Sequence, residues 1–243
     1  MAITKIRVRF IRTALGPIWE VLGTFIFLIF ISLIWSRLWN ETFVEFFCYL
    51  YTGFIIWKAI SAIISDGTYL FSDTYGNCFE NVKMNPFVFC LSHTTKNLIV
   101  LFLSFPILFI VLYLGNKLYF ASILWLSLYF ILFFITAVSI SFIIATICLK
   151  YRDLQYSIIV MLQLFFFITP VIWKIDQVSE KSQRFITDPN IIYHYVEFFR
   201  SSLLYGKVEM FNLIIVISST FVSVIASMIL YKIVKNKLVF WIS

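Results

Sequence analysis

Lys58 and Asp66 invite a chemical reading first, because both fall inside one long apolar run of this 243-residue chain. An ionised side chain at the centre of a bilayer costs on the order of 2.5–3.5 kcal/mol, so an intramembrane charge is a candidate for function. The two stand eight positions apart, on non-adjacent helical turns, and need not pair. Asp66 sits near one end of its run and can reach the interface. Lys58 lies deeper, and its position favours lining a polar cavity. The other reactive types are scattered. Cys48, Cys78, Cys90 and Cys148 share no metal-ligand spacing and read as buried or membrane-facing thiols. His93 and His194 stand alone, as hydrogen-bonded or solvated residues rather than ligands. There is no G-x-x-x-x-G-K-[ST] phosphate loop, since Gly206-Lys207 lacks both the upstream glycine and the following hydroxyl residue. H-E-x-x-H and G-x-S-x-G are also missing. The expectation is a chain with no catalytic residues, no metal site and no cofactor of its own.

Composition explains this scarcity. Apolar residues make up 62% of the chain and aromatics 20%, while charged residues are 13% against about 25% in a typical soluble domain. The mean hydropathy is +0.97. A soluble enzyme is excluded, as is a disordered or collagen-like chain. Six apolar runs approach the roughly 20 residues that a membrane-crossing helix needs: 21–38, 46–67, 91–114, 119–147, 154–173 and 210–231. They are apolar all round rather than alternating, which argues for helices and against barrel strands. The first run ends in Trp35-Ser36-Arg37-Leu38-Trp39 without a small-x-small cleavage site, so it reads as a retained helix rather than a signal peptide.

The net charge of +7 is read as a topology signal rather than as affinity for nucleic acid. With the N-terminus cytoplasmic, eleven of the nineteen Lys and Arg residues fall inside, among them Lys5, Arg7, Arg9, Arg12, Lys150 and Arg152. Seven fall outside, mostly in one long loop where the rule is weaker. Both termini are therefore expected on the cytoplasmic side.

Four pieces lie between or before the spans. Residues 3–14 place Ile3, Ile6 and Phe10 on one face and Lys5, Arg9 and Arg12 on another, the pattern of a short amphipathic helix on the inner leaflet. The 70–90 loop is polar and longer than a minimal helix connection, which suits partner docking or a tether. Lys150-Tyr151-Arg152-Asp153 is a tight turn between spans four and five. In the outer segment 174–209, Asp188 is expected to cap a helix that has Pro189 at its first position. Ile192, Tyr195, Phe199 and Leu203 follow on one face, and Gly206 marks the stop. The fold expected is an all-α polytopic membrane protein: a single transmembrane domain over 1–243, with six transmembrane helices, an N-terminal amphipathic interfacial helix and short external helices between spans five and six.

Three stretches carry a family resemblance. Arg12-Thr13-Ala14-Leu15-Gly16-Pro17-Ile18-Trp19 resembles the basic-then-LGPxW start of the first span in type-2 ABC exporter permeases. Tyr151-Arg152-Asp153-Leu154-Gln155-Tyr156, followed by Phe165-Phe166-Phe167-Ile168-Thr169-Pro170-Val171-Ile172, resembles the YRDL-to-FxxTPV fifth span of their polysaccharide branch. Asp188-Pro189-Asn190, then Arg200 and Gly206, is similar to that branch's external NP…R…G segment, with Asp188-Pro189 where Asn-Pro is usual.

The resemblance implies a homodimeric permease in a bacterial cytoplasmic (inner) membrane, paired with two copies of a separate ATPase that holds ATP and Mg. The cargo it implies is a lipid-linked polysaccharide such as O-antigen. By position, residues 1–20 would be an interfacial gate helix, with Arg9, Arg12, Leu15, Gly16, Pro17 and Trp19 at the substrate head group. The loop holding Tyr75, Asn77, Asn81, Lys83 and Pro86 would dock on the ATPase, with Arg152 and Asp153 as a second contact. Lys58, Tyr156 and Phe165 are candidate channel-lining residues, and the 189–205 helix would close the exit. No C-terminal substrate-reading extension is expected after Lys237. Two alternatives remain open from sequence. One is a permease of the same class for capsule, teichoic acid or a small hydrophobic molecule; the other is a carrier needing no ATPase.

Overall fold

The computed structural model describes residue 16 and residues 18–74, 85–235 and 238. The basic amphipathic segment 3–14 lies outside the described residues, as do 75–84 of the 70–90 loop, 236–237 and the chain beyond 238. All regular structure among the described residues is helical. Helices α1 (Ile18–Leu38), α2 (Phe43–Thr68) and the pair α3 (Pro86–Phe102) and α4 (Phe105–Leu114) come first. Then follow α5 (Ala121–Lys150), α6 (Asp153–Ile168), α7 (Glu180–Thr187), α8 (Ile191–Tyr205) and α9 (Met210–Val234).

Five segments are long and apolar enough to cross a membrane: α1, α2, α3 with α4, α5 and α9. The third is a single span with a break. Pro106 has no N–H to offer Phe102, and Ser104 N bonds back to Leu101 O at 3.0 Å, so the helix tightens and kinks there. The expected fifth span, 154–173, forms a helix shorter than its apolar run. At about 1.5 Å per residue, the sixteen residues of α6 reach about 24 Å, below the roughly 30 Å of a hydrocarbon core. It ends at Ile168 because Thr169 precedes a proline and takes extended geometry, with ψ 130°.

α2 is the hub. It is the most buried of the five long segments, while α1 and α9 are the least. It packs against α1, α5, α6 and α8. Its start is fixed by reciprocal capping: Thr42 Oγ1 accepts from Glu45 N at 3.4 Å and donates to Glu45 Oε2 at 2.8 Å. The end of the bundle carrying 39–42, 115–120 and 206–209 is called distal below. The end carrying Tyr69, Asn85, Tyr151 and Lys235 is called proximal.

Within the segment expected to be external, α8 is inserted into the bundle. In α8 nearly every residue from His194 to Leu204 is buried. Tyr195 shares a hydroxyl cluster with Thr136 (2.8 Å), Ser219 (3.1 Å) and Thr220 (3.2 Å). Thr136 and Thr220 lie about 22 Å and 15 Å along α5 and α9 from their distal starts. The N-terminal half of α8 therefore sits at mid-bundle, and Gly206, in left-handed geometry at φ 63°, ends the helix beside Tyr119 at the distal end. Interhelical hydroxyls and satisfied backbone make such an insertion tolerable at membrane depth. The cap also differs from expectation. Asp188 closes α7, and the side chain of Asn190 caps α8 by accepting from Tyr193 N at 3.1 Å. Pro189 sits between the two helices rather than at the first position of α8.

Candidate functional site

A cleft runs between α1, α2 and α6, the flank where the bundle is least covered. Two adjoining hollows of about 530 and 490 Å3 share Phe27, Phe54, Trp57, Ser61 and Ser65. α1 adds Gly23 and Thr24 on one side, and α6 adds Gln163, Phe166 and Phe167 on the other. Phe166 packs edge-on to Phe54 at 5.9 Å and against Trp57 at 5.5 Å. The walls thus alternate aromatic faces with hydroxyl and amide groups. Lys58 lines this cleft. Its Nζ donates to Thr24 Oγ1 at 2.7 Å and to Glu20 O at 3.2 Å, and lies 3.5 Å from the Glu20 carboxylate. Asp66 has a different partner, Lys96 on α3, at 2.7 Å.

At its distal end the cleft meets a clasp that holds the end of α6. Asn190 Nδ2 donates to Thr169 Oγ1 at 2.9 Å. Arg200, 1% exposed, donates through Nη2 to Pro170 O at 3.0 Å. Its guanidinium lies 3.8 Å from the Tyr49 ring centroid, and its Nη1 donates to Glu197 at 3.1 Å. Tyr49 in turn donates to Trp173 O at 3.1 Å. Gly53 makes room for this, because a Cβ there would collide with the guanidinium. Beside the clasp, Lys174 forms an ion pair with Glu41.

The residues singled out from sequence are placed as follows. Arg9, Arg12, Leu15, Pro17, Tyr75, Asn77, Asn81 and Lys83 lie outside the described residues. Gly16 has φ 55°, turning the chain just before α1, and Trp19 is an exposed residue of α1 rather than of a separate interfacial helix. Pro86 is the first residue of α3, capped by Asn85, not a loop residue. Arg152 and Asp153 are exposed at the proximal turn. Tyr156 and Phe165 are exposed on α6, whereas the cleft wall is built from Gln163, Phe166 and Phe167. Both histidines are structural: His194 bonds Asn212 at 2.7 Å, and His93 bridges Ser141 and Asn97. Cys48, Cys90 and Cys148 are buried free thiols. Sequence reasoning missed Tyr49, Gly53 and Glu197; a lone glycine inside a run of bulky apolar residues was the signal for Gly53.

Among the described residues no group of side chains could hold a metal ion. The helices, cleft and clasp describe a multi-pass helical membrane protein. The model of the ABC-2 type transporter family matches residues 2–204, and the chain belongs to that family. It is also similar to the O-antigen export system permease protein RfbA of Myxococcus xanthus. The two are 23% identical over 187 residues, covering 74% of this chain and 69% of that protein. The chain is therefore a transmembrane permease component, of a kind that works with ATPase activity held in a separate subunit.

Proposed function

We propose that this chain exports a lipid-linked polysaccharide, O-antigen-like, across the bacterial cytoplasmic membrane, as a homodimer joined to two copies of a separate ATPase. The observation that carries the reading is the cleft between α1, α2 and α6, where Phe27, Phe54, Trp57 and Phe166 alternate with Ser61, Ser65 and Gln163. Aromatic faces stack on sugar rings while hydroxyl and amide groups exchange hydrogen bonds with sugar hydroxyls. Among the described residues the cleft has one ammonium, Lys58, paired with Glu20, so these residues offer many weak contacts rather than a tight site. A polymer that must slide needs that balance. The similarity to an O-antigen export permease supports the same cargo.

In this account the proximal end faces the cytoplasm. ATP binding by the partner moves the 75–86 loop, and the two permease copies part along the flank formed by α1 and α6. The basic N-terminal segment, through Arg9 and Arg12, offsets the charge of the lipid pyrophosphate as it enters. The clasp around Thr169 and Pro170 holds the exit end shut until α6 moves.

The test is reconstitution of the chain with its ATPase partner in proteoliposomes loaded with a fluorescent lipid-linked glycan. ATP-dependent transfer across the bilayer, lost in the Arg9→Ala/Arg12→Ala double variant, is the expected result. Transfer independent of ATP, or unchanged in a correctly inserted double variant, contradicts the ATPase coupling or the head-group role respectively.

A further inference from the structure

α6 is the least anchored of the helices that line the cleft. Of its sixteen residues, Gln155 and Leu162 are the buried ones. Leu162 is apolar and permits sliding. Gln155 does not, because its Nε2 donates to the backbone carbonyl of Thr68 at 3.2 Å in a buried setting. Thr68 is the last residue of α2; Tyr69 and the short helical turn Leu70–Thr74, which packs against α5, join it to the 75–86 loop that the exporter reading places against the ATPase. At the other end of α6, Thr169 and Pro170 are held by Asn190 and Arg200 of α8. The helix is thus tied at its first turn to the root of the proximal loop, and just past its last turn to the inserted helix at the distal end.

We propose that Gln155 is the positioning residue that couples movement of the proximal loop to α6, and through α6 to the clasp at the far end of the cleft. This rests on the exporter reading above. A carbonyl in the last turn of an α-helix is available to side-chain donors, and the Thr68 carbonyl accepts from Gln155 Nε2. An amide donor there transmits displacement along its bond in a way that an apolar contact does not. Arg152 and Asp153 lie on the exposed side of the same turn, where they can touch a partner. Gln155 faces inward and carries that contact into the bundle.

The experiment uses the complete transporter, both subunits, in lipid nanodiscs and proteoliposomes. Two quantities are read: glycan moved per ATP hydrolysed, and the ATP-dependent change in distance between spin labels at the exposed positions Leu164 on α6 and Ile214 on α9. Gln155→Leu removes the donor, and Gln155→Lys keeps a donor of similar reach. In Gln155→Leu the transport ratio is expected to fall about tenfold, within the usual range for coupling between distant sites. ATPase rate and insertion stay near wild type, and the label distance stops responding to ATP. Gln155→Lys retains both responses. Wild-type behaviour in Gln155→Leu, equal loss in both variants, or a wild-type label distance insensitive to ATP overturns the proposal. If Gln155→Leu fails to insert, Gln155→Ser, too short to reach Thr68, is read in the same way. A wild-type transporter whose labels respond to ATP while no glycan moves sinks the cargo reading alone, and the label response of the variants still decides the coupling role.

Discussion

The guanidinium of Arg200 stacks on the ring of Tyr49 at 3.8 Å and in the same pose donates to the carbonyl of Pro170. One side chain therefore joins α8, α2 and the end of α6. Lysine cannot reproduce a planar stack together with a forked set of donors. Arg200→Lys is expected to weaken the clasp, and Arg200→Ala to cost about 3–5 kcal/mol by leaving Glu197 without its partner. Thermal unfolding in detergent checks the order wild type, Lys, Ala; equal midpoints for all three would refute it.

Gly53 is the complement of that arginine. Glu197, the Pro170 and Val171 carbonyls and the Tyr49 ring surround the guanidinium and leave it little room to retreat from a new methyl group. Gly53→Ala is expected to destabilise by about 1–3 kcal/mol, as overpacking does. In an Arg200→Ala background the same substitution should cost much less. A double-mutant cycle with no coupling would show that the two do not compete for space.

Asn190 has two separable duties. Its Oδ1 caps α8, while its Nδ2 holds Thr169. Asn190→Asp keeps an acceptor for the cap and loses the donor, whereas Asn190→Ala loses both. Amide exchange at Tyr193 should stay slow in the aspartate variant and quicken in the alanine one, which loses about 1 kcal/mol of cap stabilisation. Transport should fall in both.

Lys58 and Glu20 are both partly exposed, so their ion pair is worth about 1 kcal/mol or less. The Lys58→Met/Glu20→Gln double variant should therefore insert and fold normally. Reduced glycan transfer in that variant, measured per ATP hydrolysed, is expected if the pair contributes to the path; unchanged transfer would make it a structural pair only.

Much of this architecture is legible in the sequence because it is local. Apolar run length places α1, α2, α5 and α9 within a few residues, and Gly206 is readable as a helix stop. The expected fifth span runs through Thr169-Pro170 to residue 173, so run length does not give the helix end at Ile168. What sequence periodicity does not encode is which distant side chains meet. Arg200 against Gly53 and Gln155 against Thr68 depend on tertiary packing, and so does the pairing of Asp66 with Lys96 rather than with a nearer charge. The burial of α8 was hidden for a related reason. Its other face reads as polar surface, yet His194 and Arg200 find their partners inside the bundle.

Depletion of this chain in its host tests the central claim most directly, by asking where the lipid-linked glycan gathers. Accumulation on the cytoplasmic leaflet with loss of surface polymer is the predicted result, and the trapped glycan would identify the cargo. Normal surface polymer in a host with no second exporter would contradict the account.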